Sequence, residues 1–272
     1  MRGANIKIAQ IYDSGFLDGD VKVQKINLIC NNKGRTSAND AVYFHGWLMS
    51  RISEDFAARM HQTGVNPVTI AVHASKEQVV FSIAMLTDEA AAEIAKVLLD
   101  PDFASFTLKS TRQEEFKIVK KEQEILSSQD LAQAFYQPEK TKRLLQVLVT
   151  TPLAFKTNGE YYNLPDTRLF FQSLMKKYNA IFEKTEQIDL DLLDELCDKV
   201  KLVNFSIHSR RFYIHKAYIN GFCGKLAFYC NGAETLANYA AMLLRFAEYA
   251  GVGVKTSLGM GSVELTEGEH NG

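Results

Sequence analysis

What this sequence lacks narrows its reading first. Among 272 residues there are four cysteines, Cys30, Cys197, Cys223 and Cys230, and no C-x-x-C pair, so the thiols read as free, as in a reducing cytoplasm. His208, His215, Cys223 and Cys230 are separated by gaps of six and seven residues, which is not the short paired spacing of a structural zinc site, and no metal or cofactor is expected. No run approaches the roughly 18 apolar residues of a membrane helix. The N-terminus has no apolar signal stretch, so a cytoplasmic setting without membrane contact is expected. No H-E-x-x-H, Ser/His/Asp order or paired-carboxylate motif stands out. Excess charge is also missing: the formal net charge is -1, which excludes a protein-wide field that would gather nucleic acid indiscriminately. Any nucleic-acid site must be local.

One absence is local and informative. From Lys199 to Gly232 there is no Asp or Glu, while Lys199, Lys201, Arg210, Arg211, Lys216 and Lys225 are present. Phe212, Tyr213, Tyr218 and Phe222 are interleaved with them, the composition of a surface that neutralises phosphates and stacks bases. A solvated hairpin with core aromatics has the same composition, and alternate strand residues face opposite ways, so some of these rings must be core. Arg210, Arg211 and Lys216 are the RNA-contact candidates; Lys140, Lys142 and Arg143 read as solvated charge.

The apolar pattern assigns the rest. Val21 to Ile29 reads as a strand, followed by the polar loop at Asn31-Asn32-Lys33-Gly34. Ser37, Asn39 and Asp40 are candidate caps for one helix to about His61, with Ala41, Leu48, Met49, Ile52 and Phe56 on one face and Gly64 and Pro67 beyond its end. Val68–Ala74 and Gln78–Leu86 form a hairpin across Ser75-Lys76-Glu77. A helix capped by Thr87 or Asp88 follows and stops at Pro101, and β pattern resumes from Phe103 to about Ile125. Strand, helix, strand, strand, helix, strand is the ferredoxin-like order. A polar segment, 127–143, separates it from a second unit: a strand from Leu144, a helix over Thr167–Phe182 with Leu169, Ser173 and Tyr178 inward, an acidic surface helix, and a long β reach carrying an Asn220-Gly221 turn signal. The expected fold is α+β, two tandem ferredoxin-like βαββαβ domains over 1–126 and 144–272.

The second unit closes with a helix from Glu234 to Ala250 and then Gly251, Gly253, Gly259 and Gly261 within eleven residues, carrying Lys255-Thr256-Ser257. Four glycines so close together define a loop, since each would weaken a helix or strand by about 0.5–1 kcal/mol. The order is helix, loop, strand, with Val254 before the lysine, whereas a P-loop runs strand, loop, helix with Gly before its Lys.

The run Leu243-Leu244-Arg245-Phe246-Ala247-Glu248-Tyr249-Ala250-Gly251 through Gly261 resembles the C-terminal signature of the CRISPR repeat-RNA processing endoribonucleases of the RAMP superfamily. Thr151-Pro152-Leu153-Ala154-Phe155, with Pro165, Phe170, Leu174 and Asn179, resembles the same family. The likeness implies cleavage of a precursor transcript within each CRISPR repeat, without metal, by the ribose 2′-OH, leaving a 2′,3′-cyclic phosphate. It implies repeat RNA as partner, with other CRISPR effector subunits or a second copy as further partners. It implies RNA contact at Gly251, Gly253, Lys255, Thr256, Gly259 and Gly261, and a catalytic histidine at His45, with Tyr43 and Arg51 as partners. His45 falls within the apolar stripe of its helix, as a core histidine would. Tyr43 and Arg51 lie about 200° and 240° round from it, so Lys255, Lys33 or Arg35 is the alternative source of positive charge, and His61 the alternative histidine. The rival reading is a RAMP-type subunit that holds guide RNA without cutting it.

Overall fold

The structure is a computed structural model that describes residues 21–31, 36–62, 64–109, 115–136, 140–215 and 217–266; of residues 61 and 62 only the backbone is described. The first unit comprises β1 (Lys22–Asn31), α1 (Asp40–Met49), α2 (Glu54–Gln62), β2 (Val68–Ala74), β3 (Gln78–Met85), α3 (Asp88–Leu98), β4 (Ser105–Thr107) and β5 (Glu115–Ser127). Its antiparallel sheet has the order β2-β3-β1-β5-β4, the ferredoxin-like arrangement with one short extra edge strand. Ile26, Leu28 and Cys30 alternate into the core on β1, where Phe44, Phe81, Phe106 and Phe116 pack with ring centroids 5.0 to 5.3 Å apart. Thr87 caps α3 as expected, its hydroxyl accepting the Ala90 N–H at 3.2 Å.

The single helix expected to run to His61 is two helices. Ser53 Oγ accepts the Phe56 N–H at 3.4 Å and Ser53 O accepts the Ala57 N–H at 3.0 Å, so this serine starts a new helix after α1 has ended. At the other end Asp40, in the first turn of α1, accepts the Ser37 N–H at 2.8 Å. Asn39, at the cap position, uses its side chain elsewhere: Oδ1 accepts the backbone N–H of Tyr213 at 2.9 Å, 174 residues on.

Segment 127–143 is not bare linker. It contains α4 (Ser128–Tyr136), whose Leu131 and Phe135 are buried in the second unit's core. That unit continues as β6 (Leu144–Leu153), the ribbon β7 (Phe155–Thr157) and β8 (Glu160–Tyr162), α5 (Thr167–Phe182), α6 (Leu190–Lys199), β9 (Val200–Ile214), β10 (Ala217–Cys230), α7 (Glu234–Ala250), a 3-10 turn at Thr256–Leu258 and β11 (Val263–Leu265). Its sheet order is β11-β6-β10-β9, again the ferredoxin-like order with every neighbour antiparallel. Val23, Ala84, Leu86 and Leu126 of the first unit join the second unit's core, so the two halves share apolar contact.

The β9–β10 turn is not at Asn220-Gly221. Those residues sit inside β10, opposite Arg211 and Arg210, and the chain reverses after Ile214, where His215 has φ 53°. Gly221 has another reason to be glycine: a Cβ there would lie 2.9 Å from the Leu153 carbonyl oxygen, because β10 crosses close to β6 at a register shift.

A third, small core joins the halves. Phe212 of β9, Ile219 of β10, Val42 of α1, Ala154 and Met260 bury one another, with Ala38, Ile214, Val254 and Leu258 around them. Phe212 is fully buried there, so Phe212→Ala should lower the unfolding free energy by about 3 kcal/mol in a urea titration followed by circular dichroism.

Candidate active site and nucleic-acid interface

The glycine loop is tied down on every side. Gly251 ends α7 at φ 60°, and beyond it Val252 N–H donates to Gly261 O at 2.8 Å, Val254 N–H to Ala154 O at 3.0 Å and Gly261 N–H to Pro152 O at 3.0 Å. Gly253 N–H donates to Ser173 Oγ on α5 at 2.9 Å. All four glycines have positive φ, and Lys255 also takes the left-handed conformation, at φ 56°. At three positions the need for glycine is steric as well. A Cβ on Gly261 would collide with the Val252 carbonyl oxygen, one on Gly253 with the Ala154 carbonyl oxygen, and one on Gly259 with the Cβ of Ala41 on α1. The close approaches in the structure are therefore to the chain's own atoms. Among the described residues, no acceptor within the chain receives the backbone N–H groups of Lys255, Thr256 and Ser257.

Lys177 holds the loop from α5. Its Nζ donates to Ala250 O at 2.8 Å, Gly251 O at 3.0 Å and Thr256 Oγ1 at 3.2 Å, satisfying the last carbonyls of α7 and fixing the first residue of the 3-10 turn. The residue as a whole is half-buried, but its amine is enclosed, and loss of hydration pulls its pKa from 10.5 to about 7. The sequence carried a signal for this residue that went unread: Phe170, Leu174, Lys177 and Ile181 fall on one face of α5, so a lysine stands in an apolar stripe.

His45 lies at the edge of this assembly. Ala38 and Ala41 meet Gly259, and Val42 meets Phe212 and Met260, so the loop and the β9–β10 hairpin cover the first turn of α1. By angle His45 falls between Ala41 and Val42, yet it is half-buried where they are buried, because it lies one turn beyond that cover. Its half-burial distinguishes it from a core histidine. Tyr43 is exposed on the far side of α1. Arg51 follows the end of α1, with its guanidinium 5.6 Å from the Trp47 ring centroid. The alternatives Lys33 and Arg35 lie outside the described residues, as does the side chain of His61.

On the hairpin, Arg210 and Arg211 are both exposed but point to opposite faces. Arg211 shares a face with Tyr213 and Tyr218: its guanidinium is 4.8 Å from the Tyr218 ring centroid, the two tyrosine rings are 6.0 Å apart, and each is about half exposed, at 49% and 50%. Arg210 shares the face of Phe212 and stands beside Cys223, whose thiol burial pushes up in pKa. Phe212 and Phe222 are core. Lys216 lies outside the described residues.

Two ferredoxin-like units, clasped by a glycine loop and flanked by an acid-free hairpin with exposed arginine and tyrosine, define a tandem ferredoxin-like protein. Residues 147–263 match the model of the family described as CRISPR-associated endoribonuclease Cas6. A CRISPR-associated endoribonuclease Cas6 of Streptococcus thermophilus is 35% identical over 227 residues, 84% of this chain and 91% of that protein. One from Mycobacterium tuberculosis is 35% identical over 224 residues, 82% of this chain and 70% of that protein. A solved structure described as a Cas6 product complex superimposes with a TM-score of 0.75 at 20% identity, covering 90% of this chain and all of the other, and supports the fold. The chain belongs to the Cas6 family of CRISPR-associated endoribonucleases.

The state of Lys177 sets a pH dependence. Its folded pKa, about 7, lies below its ordinary 10.5, so between those values the unfolded chain binds the extra proton and stability rises with pH. Denaturant titrations from pH 7 to 10 should show that rise in the wild type. The rise should be smaller in Lys177→Met, which should also be less stable at pH 9 because the carbonyls of Ala250 and Gly251 lose their donor.

Proposed function

We propose that this chain binds CRISPR repeat RNA across the hairpin and loop and cuts it beside His45, the ribose 2′-OH attacking the adjacent phosphorus to leave a 2′,3′-cyclic phosphate and a free 5′-hydroxyl. The observation that carries the reading is the half-buried His45, one turn beyond the place where α1, the glycine loop and the arginine-bearing hairpin meet. An imidazole titrates near neutrality, so it can take the 2′-OH proton or give one to the departing 5′-oxygen. The N–H groups of Lys255, Thr256 and Ser257 supply donors for charge growing on the phosphate. Arg211 neutralises the RNA backbone while Tyr213 and Tyr218 offer faces for bases, and Arg210 adds charge on the other side of the hairpin.

In this scheme Gly251, Gly253, Gly259 and Gly261 shape the loop, and Thr256, held by Lys177, aligns it. Tyr43 and Arg51 serve as RNA contacts rather than as proton-transfer partners of His45, given their exposed positions. The work is cytoplasmic, uses no metal, and divides between units 1–126 and 144–272. A positioned histidine favours an enzyme over a subunit that only holds guide RNA.

His45→Ala should slow single-turnover cleavage by roughly 10²–10⁴ while repeat affinity and the thermal midpoint stay near wild type. A stable variant that cuts at the wild-type rate would remove His45 from the chemistry. Cutting should persist in EDTA and stop when the nucleotide before the scissile phosphate is 2′-deoxy; restoration of cutting by Mg²⁺ after EDTA would point to a different mechanism. Arg210→Ala with Arg211→Ala should weaken repeat binding and flatten its dependence on salt, as read from filter binding at several salt concentrations.

A further inference from the structure

The glycine loop has a second face. Away from α1 and the hairpin, residues Gly253 to Ser257 wall a cleft of about 580 Å³ whose other sides are α5, the β7–β8 ribbon and residues 64–66 of the first unit. That volume falls in the range of small-ligand sites. Its charged lining has one sign, four lysines and no Asp or Glu, in a chain whose net charge is -1.

The four lysines are not equivalent. Lys177 is committed to the loop, and Lys176 is paired at 3.0 Å with Glu186, which lies outside the lining. Lys156 and Lys255 are exposed and have no carboxylate partner among the described residues. Lys156 Nζ stands 5.8 Å from the ring centroid of Tyr161, its cross-strand neighbour, and that ring is 44% exposed on a three-residue strand. Gln172, half-buried in the wall, makes no side-chain hydrogen bond among the described residues, so its amide can both donate and accept. An open aromatic face, two unpaired ammonium groups and an uncommitted amide match the three parts of a nucleotide: base face, phosphate and base edge. An acidic peptide would satisfy the lysines and leave the ring unused.

We propose that this cleft holds one single-stranded nucleotide of the same RNA that is cut beside His45, with its base on Tyr161 and its phosphate between Lys156 and Lys255. The proposal rests on the RNA-cleaving reading above. One loop walls both sites, so a single strand can occupy both and be gripped at a point remote from the scissile phosphate.

The test uses the full chain and the host's repeat RNA substituted with 5-iodouridine, crosslinked by light and mapped by mass spectrometry. A crosslink to Tyr161 is expected. Tyr161→Ala with Lys156→Ala should bind the full repeat about 10-fold more weakly, while Tyr161→Phe keeps the affinity. A repeat truncated to remove the crosslinked nucleotide should bind wild type and the double variant equally. No crosslink at Tyr161 together with unchanged affinity overturns the proposal, as does an equal loss for the full and truncated RNAs. Displacement of the crosslink by free uridine monophosphate, without any effect of the double variant on repeat affinity, would assign the cleft to a mononucleotide and also overturn it. Wild-type cleavage and the Arg210→Ala, Arg211→Ala variant are measured on the same RNA. If the wild type neither binds nor cuts, the RNA-cleaving reading fails and the cleft proposal with it; normal controls beside a silent Tyr161 overturn the cleft alone.

Discussion

The packing of Gly259 against Ala41 is the contact on which the functional face depends. It brings the backbone of a loop from the second unit against the first turn of a helix from the first unit, at a spacing that no residue with a Cβ could adopt without moving one of them. Phe212 fills the space beside it, and its ring is within reach of the same glycine. With loop, helix and hairpin locked in that way, His45 emerges one turn later at a defined place. Each loop glycine at positive φ avoids the strain that an L-residue with a side chain would carry, and Lys255 alone bears it. Such strain persists because Lys177, Ser173 and the carbonyls of Pro152 and Ala154 hold the neighbouring backbone.

The shared core explains how a site built from two units can be rigid. Val23, Leu86 and Leu126 sit in the apolar interior of the second unit, and Thr69 Oγ1 donates to Tyr249 O at 2.5 Å across the same boundary. Lys25 lies 4.7 Å from the centroid of the Tyr249 ring. Two ferredoxin-like units joined by linker alone would rock against each other, as polar interdomain contacts allow. Apolar burial on this scale makes the junction part of the interior, and a preorganised junction keeps donors aimed without reorganisation when charge develops.

Charge is arranged by location rather than by amount. Carboxylates are kept away in two places: along the hairpin, where sequence proximity segregates the charge, and in the cleft lining beside α5, where folding does. On the hairpin the period of two sends Arg211 to the tyrosine face and Arg210 to the Phe212 face, so adjacent cations act in different directions. Alternation separates buried Phe212 from open Tyr213 on β9, whereas Phe222 shares the face of Tyr218 on β10 and is buried because it lies farther along the strand, over the second unit's core.

Much of the fold was legible because it is written in local periodicity. The βαββαβ order of both halves, the cap at Thr87, the helix over Thr167–Phe182 and the glycine loop after α7 all follow from residues close in sequence. The break after α1 was harder to see, since Ser53 is an ordinary residue until its hydroxyl and carbonyl accept helix N–H groups. Asn220-Gly221 misled for a related reason: its glycine answers a steric demand from Leu153, which is distant in sequence. His45 could be named from the chain, but helical angle alone made it a core residue, and only the extent of the loop's cover left it half-buried. Lys156, Tyr161, Lys177 and Lys255 come from three separate stretches of sequence. The sequence by itself determined the two units, the loop and the basic hairpin, because propensity and periodicity are local; tertiary structure decided which side chains share a wall, because that depends on contacts between distant segments that no local pattern encodes.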